Sequence, residues 1–307
     1  MTLRSFLLAG AATVSLALPA AADCNKVTFS DVGWTDITAT TAVTTTVLQA
    51  LGYETDIKLL SVPVTYTALS SGDVDVFLGN WMPSMEADLA PYRDDGSVET
   101  LRTNLVGAKY TLATNAAGTA LGIKDFADIE KYKDALEGKI YGIEPGNDGN
   151  RLVLDMITAG KFAAGFEVVE SSEQGMLAAV AKGEKENTPV VFLGWEPHPM
   201  NANFKMSYLT GGDDVFGPNF GGAEVRTNVR KGYVAECPNT GKLLTNLEFS
   251  LAMENEIMGK ILDDGIDPPT AAHDWLAAHP EVLAPWLAGV TTKDGGDGLA
   301  AVTAALK

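Results

Sequence analysis

The alternation of short apolar runs with stretches of helical periodicity constrains this chain more than any other feature. Residues 27–29 open a strand; Val43, Val47, Leu48 and Leu51 then recur at helical spacing, and Gly52 supplies a helix end. Tyr53, Thr55, Ile57 and Leu59 alternate with polar neighbours as a half-buried strand does. Val74, Val76, Phe77 and Leu78 before Gly79 predict a buried strand, after which Pro83 and Ser84 open a helix. Further strands are expected over 110–113, 139–143, 166–169 and 190–193, with helices around 126–136, 149–159 and 175–181. From Pro238 onward the pattern is almost purely helical. Strand, helix, strand units repeated in this way imply an α/β fold with parallel sheets covered on both faces, and such folds bind ligands at the carboxyl ends of their strands. With 307 residues and 46% hydrophobic content, the chain can bury one large core or the cores of two ordinary lobes.

The first residues stand apart from this pattern. Arg4, the apolar stretch 6–18, Pro19 and the small residues Ala20, Ala21 and Ala22 follow the order of a secretory signal, with cleavage before Asp23. No later apolar run approaches the roughly 20 residues of a membrane span, so the mature chain is expected to be soluble in the periplasm. Cys24, just past the apolar run, raises a lipid-anchored reading as well, against which stands Asp23, a poor fit to the small residue such processing prefers. In an oxidising compartment the two cysteines, Cys24 and Cys237, read first as one disulfide tying the mature N-terminus to a point late in the chain. His198, His273 and His279 show no metal-ligand spacing and read as surface or capping residues, so neither a metal site nor a cofactor is expected. A formal charge of −18, from 22 basic and 40 acidic side chains, repels phosphate backbones and argues against nucleic acid as a partner. A small cation is the partner such a field favours.

Three of the five tryptophans stand at expected strand ends: Trp34 after the first strand, Trp81 after Gly79 and Asn80, and Trp195 after Gly194. Each follows a small or polar residue, which lets the backbone turn and leaves the indole projecting into a cleft. Any one of them alone reads as core; three in equivalent places are harder to explain by packing, which would set them inside the apolar runs. Trp275 and Trp286 lie amid Leu276 and Leu287 in the helical tail and read as core. Aromatic faces attract a cation that hydrogen bonds cannot satisfy, a quaternary ammonium above all, at roughly 0.5 to 2 kcal/mol per ring. A stacked sugar needs many planar polar side chains, which these segments do not offer in number.

The segments GWTDITATT from Gly33, GDVDVFLGNWMPSM from Gly72, GIEPGNDGN from Gly142 and VFLGWEPHPM from Val191, with the region from Met206 to Tyr233, resemble the substrate-binding proteins of ABC importers for choline and glycine betaine. The likeness spans nearly all of the mature chain, in order, and lies nearest the periplasmic choline-binding members. It implies a two-lobed periplasmic binding protein fold of type II with two crossover strands, near 109–113 and 223–227. One lobe would then be discontinuous, 23–109 with 224–307, and the other would be 110–223. By motif position the resemblance implies an aromatic box of Trp34, Trp81, Tyr110 and Trp195, with the ligand hydroxyl bound by Asp36 and Asn147. Read from the residues alone, Asp36 is equally a helix N-cap and Asn147 equally a turn or cap residue. Betaine-binding relatives tend to carry an aromatic after the Pro-His of the last motif, where this chain has Pro199.

The resemblance also implies the partners: choline or a related quaternary amine, an ABC permease and its ATPase, with the chain itself a monomer. An ionised Asp36 would complement choline and repel the carboxylate of betaine or carnitine unless His198 or the amides near Gly146 intervened. Two other classes stay open. A choline-ester hydrolase would also use an aromatic cage, but no G-x-S-x-G or HExxH motif is present, so the chain is not expected to be an enzyme. A sensor module would share the binding fold and signal to a different membrane protein.

Overall fold

A computed structural model describes residues 24–307, so the expected signal segment 1–22 and its cleavage point lie outside the described residues. The strands are β1 (Lys26–Asp31), β2 (Glu54–Leu59), β3 (Val76–Met82), β4 (Val98–Asn115), β5 (Lys139–Tyr141), β6 (Glu167–Val169), β7 (Val191–Glu196), β8 (Met206–Tyr208) and β9 (Gly222–Arg230). Their order is β2-β1-β3-β9-β4-β7-β5-β6, with β8 beside β4. β1 pairs parallel with β2 and β3, and β5 with β6 and β7, as strand and helix alternation requires. The middle departs from the all-parallel expectation: β9 pairs antiparallel with β3 and β4, and β4 antiparallel with β7 and β8.

The reason is the path of β4. Over Val98 to Lys109 it runs beside β9, and from Lys109 to Thr114 it runs beside β7, so one continuous strand leaves the first lobe and enters the second. β9 brings the chain back. Both expected crossing segments fall inside these two strands, whose pairing shifts register repeatedly. Those shifts break the period-two pattern that marks a strand in sequence.

The helix Thr35–Ala50 is the spine of the first lobe and packs against three helices from the end of the chain, Leu251–Leu262, Pro268–Ala278 and Gly298–Ala305. It is unusually rich in threonine for a buried helix. Thr40, Thr44, Thr45 and Thr46 each donate to the carbonyl four residues back, at 2.8 to 3.1 Å, which lets hydroxyls sit inside without further partners. Cys24 and Cys237 form the expected disulfide, with Cα atoms 5.5 Å apart, and tie β1 to the start of the helical tail. Among the described residues, no helix is long and apolar enough to cross a membrane.

Candidate functional site

Between the lobes lies a narrow cavity lined by Trp34, Asp36, Trp81, Tyr110, Ile143 and Trp195. Five of the six residues expected from sequence therefore meet in one place. All four rings are between 3% and 5% exposed, so the cleft is closed around the space they frame. Tyr110 in β4 stands directly across from Trp195 in β7, and their rings meet edge to face at 6.4 Å and 83°. Trp81 is tilted 60° to Tyr110 at 6.1 Å, so the rings form walls rather than a stack. Only Trp34 follows a turn, at Gly33 with φ +84°. Trp81 and Trp195 are instead among the last residues of β3 and β7, and strand alternation aims them at the cleft.

Asp36 is the second residue of its helix, not the cap. Trp34 occupies the N-cap position and makes no side-chain cap bond. Asp36 Oδ2 accepts from Trp81 Nε1 at 3.1 Å, while Oδ1 is buried without a partner beside the cavity. Burial pushes the Asp36 carboxyl up to about 8, helped by the nearby charge of Glu173 and opposed by the Trp81 hydrogen bond. Burial therefore disfavours the ionised Asp36 expected from the sequence.

Asn147 stands one layer back and does not line the cavity. It caps the helix Asp148–Thr158, its Oδ1 accepting from the Asn150 amide at 3.1 Å, and the same oxygen accepts from the Tyr110 hydroxyl at 2.8 Å. This fixes the amide, so Nδ2 points toward Glu144 Oε1, at 3.2 Å. The Tyr110 hydroxyl fits here because residue 149 is glycine: a Cβ there would lie 2.0 Å from it.

Sequence reasoning missed three contributors. Ile143, read as an ordinary strand residue, lines the cavity. Glu144 accepts from Trp34 Nε1 at 2.9 Å, bridging the lobes, and burial raises its carboxyl above the usual range. Glu173 is buried against Thr35 and His198. His198, expected at the surface or as a cap, is 1% exposed. Its Nδ1 accepts from the Met200 amide at 2.9 Å, so Nε2 carries the proton and donates to Glu173 Oε1 at 3.2 Å. His273 and His279 are partly exposed. No cluster of three or more metal-ligating side chains occurs among the described residues.

Two lobes joined by two crossing strands and closing on an aromatic cavity define a type II ligand-binding protein of the kind that serves membrane importers. The family model for the substrate binding domain of ABC-type glycine betaine transport systems matches residues 25–278, and the chain belongs to that family. A solved ABC-transporter choline binding protein in complex with choline is 73% identical, covers 92% of this chain and 99% of its own, and superposes with a TM-score of 0.92. An ABC-transporter choline binding protein in an unliganded semi-closed conformation, with the same identity and coverage, superposes at 0.85. An uncharacterised protein, ORF1, of Chromohalobacter salexigens is 50% identical over 132 residues, 43% of this chain and 85% of that protein.

Proposed function

We propose that this protein captures choline between its lobes and hands it to an ABC permease powered by its ATPase. The observation that carries the reading is a closed aromatic cavity with one buried, unpartnered carboxylate oxygen on its wall, in a chain 73% identical to a protein solved with choline. Trp34, Trp81, Tyr110 and Trp195 hold the trimethylammonium through their faces. At roughly 0.5 to 2 kcal/mol per ring, four rings supply much of the about 8 kcal/mol that micromolar affinity represents.

The hydroxyl end is read by polarity. Oδ2 of Asp36 is engaged by the Trp81 indole, and Oδ1 is left to accept the choline hydroxyl proton. Asn147 stands behind this layer: its carbonyl is engaged by Tyr110 and Asn150 and its Nδ2 donates to Glu144 and Asp148, so it orients Tyr110 rather than meeting the hydroxyl. Betaine and carnitine bring a carboxylate, which the ionised Asp36 repels. Discrimination therefore rests on Asp36.

The lobes are proposed as 23–109 with 224–307 and as 110–223; support comes from β4, which changes partner from β9 to β7 at Lys109. A monomer exported to the periplasm by its removed signal is the form in which it would act. Binding rather than ester hydrolysis is favoured because both ring nitrogens of His198 are engaged, by Glu173 and the Met200 amide, and neither is free to activate a hydroxyl. Isothermal titration of ligand-free protein with choline, betaine and carnitine tests the reading: choline should bind tightest, and absence of choline binding, or a preference for betaine, would reject it.

A further inference from the structure

We propose that Glu173 is a positioning residue for ligand capture, a carboxylate of the second lobe that caps the Thr35–Ala50 helix of the first, so that closing the cleft completes that helix. The inference rests on the reading of the cleft as the ligand site. A helix begins with amide donors that need acceptors, normally supplied by a Ser, Thr, Asp or Asn at the N-cap. Here the N-cap is Trp34, which has no acceptor in its side chain, and none caps the helix. The acceptor arrives from across the cleft. Glu173 Oε2 takes the Thr35 amide at 2.8 Å and Oε1 takes the Thr35 hydroxyl at 2.5 Å.

Glu173 is itself the first residue of the helix Glu173–Glu186, whose own N-terminus favours a negative charge there. His198 Nε2 then donates to Oε1 at 3.2 Å and holds the carboxylate in place, with the imidazole fixed by the Met200 amide. Thr35, Glu173 and His198 are all buried. Three donors therefore converge on two oxygens at a point outside the lining of the cavity. Opening the lobes separates Thr35 from Glu173 and leaves the amide of the helix that carries Trp34 and Asp36 to water. The contact thus favours closure for any ligand that fits and, with Trp34 bonded to Glu144, fixes the start of this helix when the cage forms.

Glu173→Gln is the first test, because a single amide oxygen cannot serve all three donors and its NH₂ must face one of them. Choline should then bind about tenfold to a hundredfold more weakly, with the loss in the dissociation rate. Small-angle scattering of the ligand-free variant should show a larger open population than the parent. Glu173 also acts on Asp36 through its charge, so Thr35→Val isolates the latch: it keeps every charge and the side-chain outline and removes one donor. Choline and betaine should each weaken by the same factor, about threefold to tenfold, and Thr35→Ser should restore both. Parent-like dissociation rates in both variants, or a Thr35→Val effect confined to one ligand, would overturn the latch. If the parent binds no choline, the reading of the cleft fails, while the scattering comparison of ligand-free parent and variant still decides the latch.

Discussion

The tryptophans of the cleft and those of the helical tail are buried to the same degree, between 3% and 5% exposed, yet they stand in different surroundings. Trp275 is stacked on His279 at 4.3 Å and 18°, and Trp286 meets Phe249 edge to face at 6.0 Å. In the cleft Trp34, Trp81 and Trp195 gather with Tyr110 around one pocket, Trp195 meeting Tyr110 and His198 edge to face and Trp81 tilted against Tyr110. The polar handles repeat the contrast. Trp275 Nε1 donates to Glu256, a half-exposed carboxylate, whereas Trp81 Nε1 donates to the buried Asp36. Burial alone therefore does not mark a site. What marks it is several aromatic side chains drawn from both lobes around a buried acid whose second oxygen lacks a partner.

Swapping the same substitution between the two regions is the severest way to break this comparison. Trp286→Ala should cost about 3 to 5 kcal/mol of folding stability, the usual consequence of emptying a packed aromatic site. The fraction that remains folded should bind choline as the parent does. Trp81→Ala should weaken choline, betaine and carnitine together, by about threefold to thirtyfold for the loss of one ring. Denaturant unfolding beside titration separates the two outcomes. An affinity loss in Trp286→Ala at preserved stability would show that the two regions are not functionally distinct.

A smaller effect sharpens the comparison at the acid behind the ring. Asp36→Asn keeps a hydrogen-bond acceptor for the Trp81 indole and removes the charge. Choline affinity should fall by about 1.5 to 3 kcal/mol, the range for a hydrogen bond to a charged partner, while betaine affinity holds or improves. Equal losses for the two ligands would remove Asp36 as the discriminating residue and leave the aromatic cage standing.

Much of this was legible before the fold was seen, and the reasons for the gaps are specific. Strand-end tryptophans, the cysteine pair and the helical tail announce themselves because side-chain type and spacing carry the signal. β9 and the first part of β4, rich in polar residues and broken by register shifts, carry no alternation to read, so the antiparallel centre of the sheet went unseen. Threonines that bond to their own backbone hid the start of the Thr35–Ala50 helix. Glu144, Glu173 and His198 look like surface residues in sequence, because their partners are distant along the chain: Glu144 and Glu173 meet Trp34 and Thr35 across the cleft, and His198 meets Glu173, 25 positions away. Asp36 was visible as a residue, but its protonation is a product of burial that no local pattern records.

That protonation yields the finest test of the difference between the two tryptophan–carboxylate pairs. Asp36 is faced by Glu173 from the second lobe and by Glu254 from the Leu251–Leu262 helix, with the Trp81 indole as donor, and its carboxyl is pushed up to about 8. A carboxyl whose folded value lies above its unfolded one is a net proton holder, so the ligand-free protein should lose stability as pH rises from about 4 toward 8. Choline requires the ionised form, and binding below about 8 must expel the proton. Its affinity should therefore rise with pH, about fivefold between pH 7 and 8, and level off above that. Betaine should run the other way, since its carboxylate prefers the protonated acid. Titration in buffers of different ionisation enthalpy should register proton release with choline at pH 7, and Asp36→Asn should flatten both profiles. A choline affinity constant from pH 6 to 9 would mean that choline expels no proton from Asp36, and the coupling between its ionisation and binding would have to be abandoned.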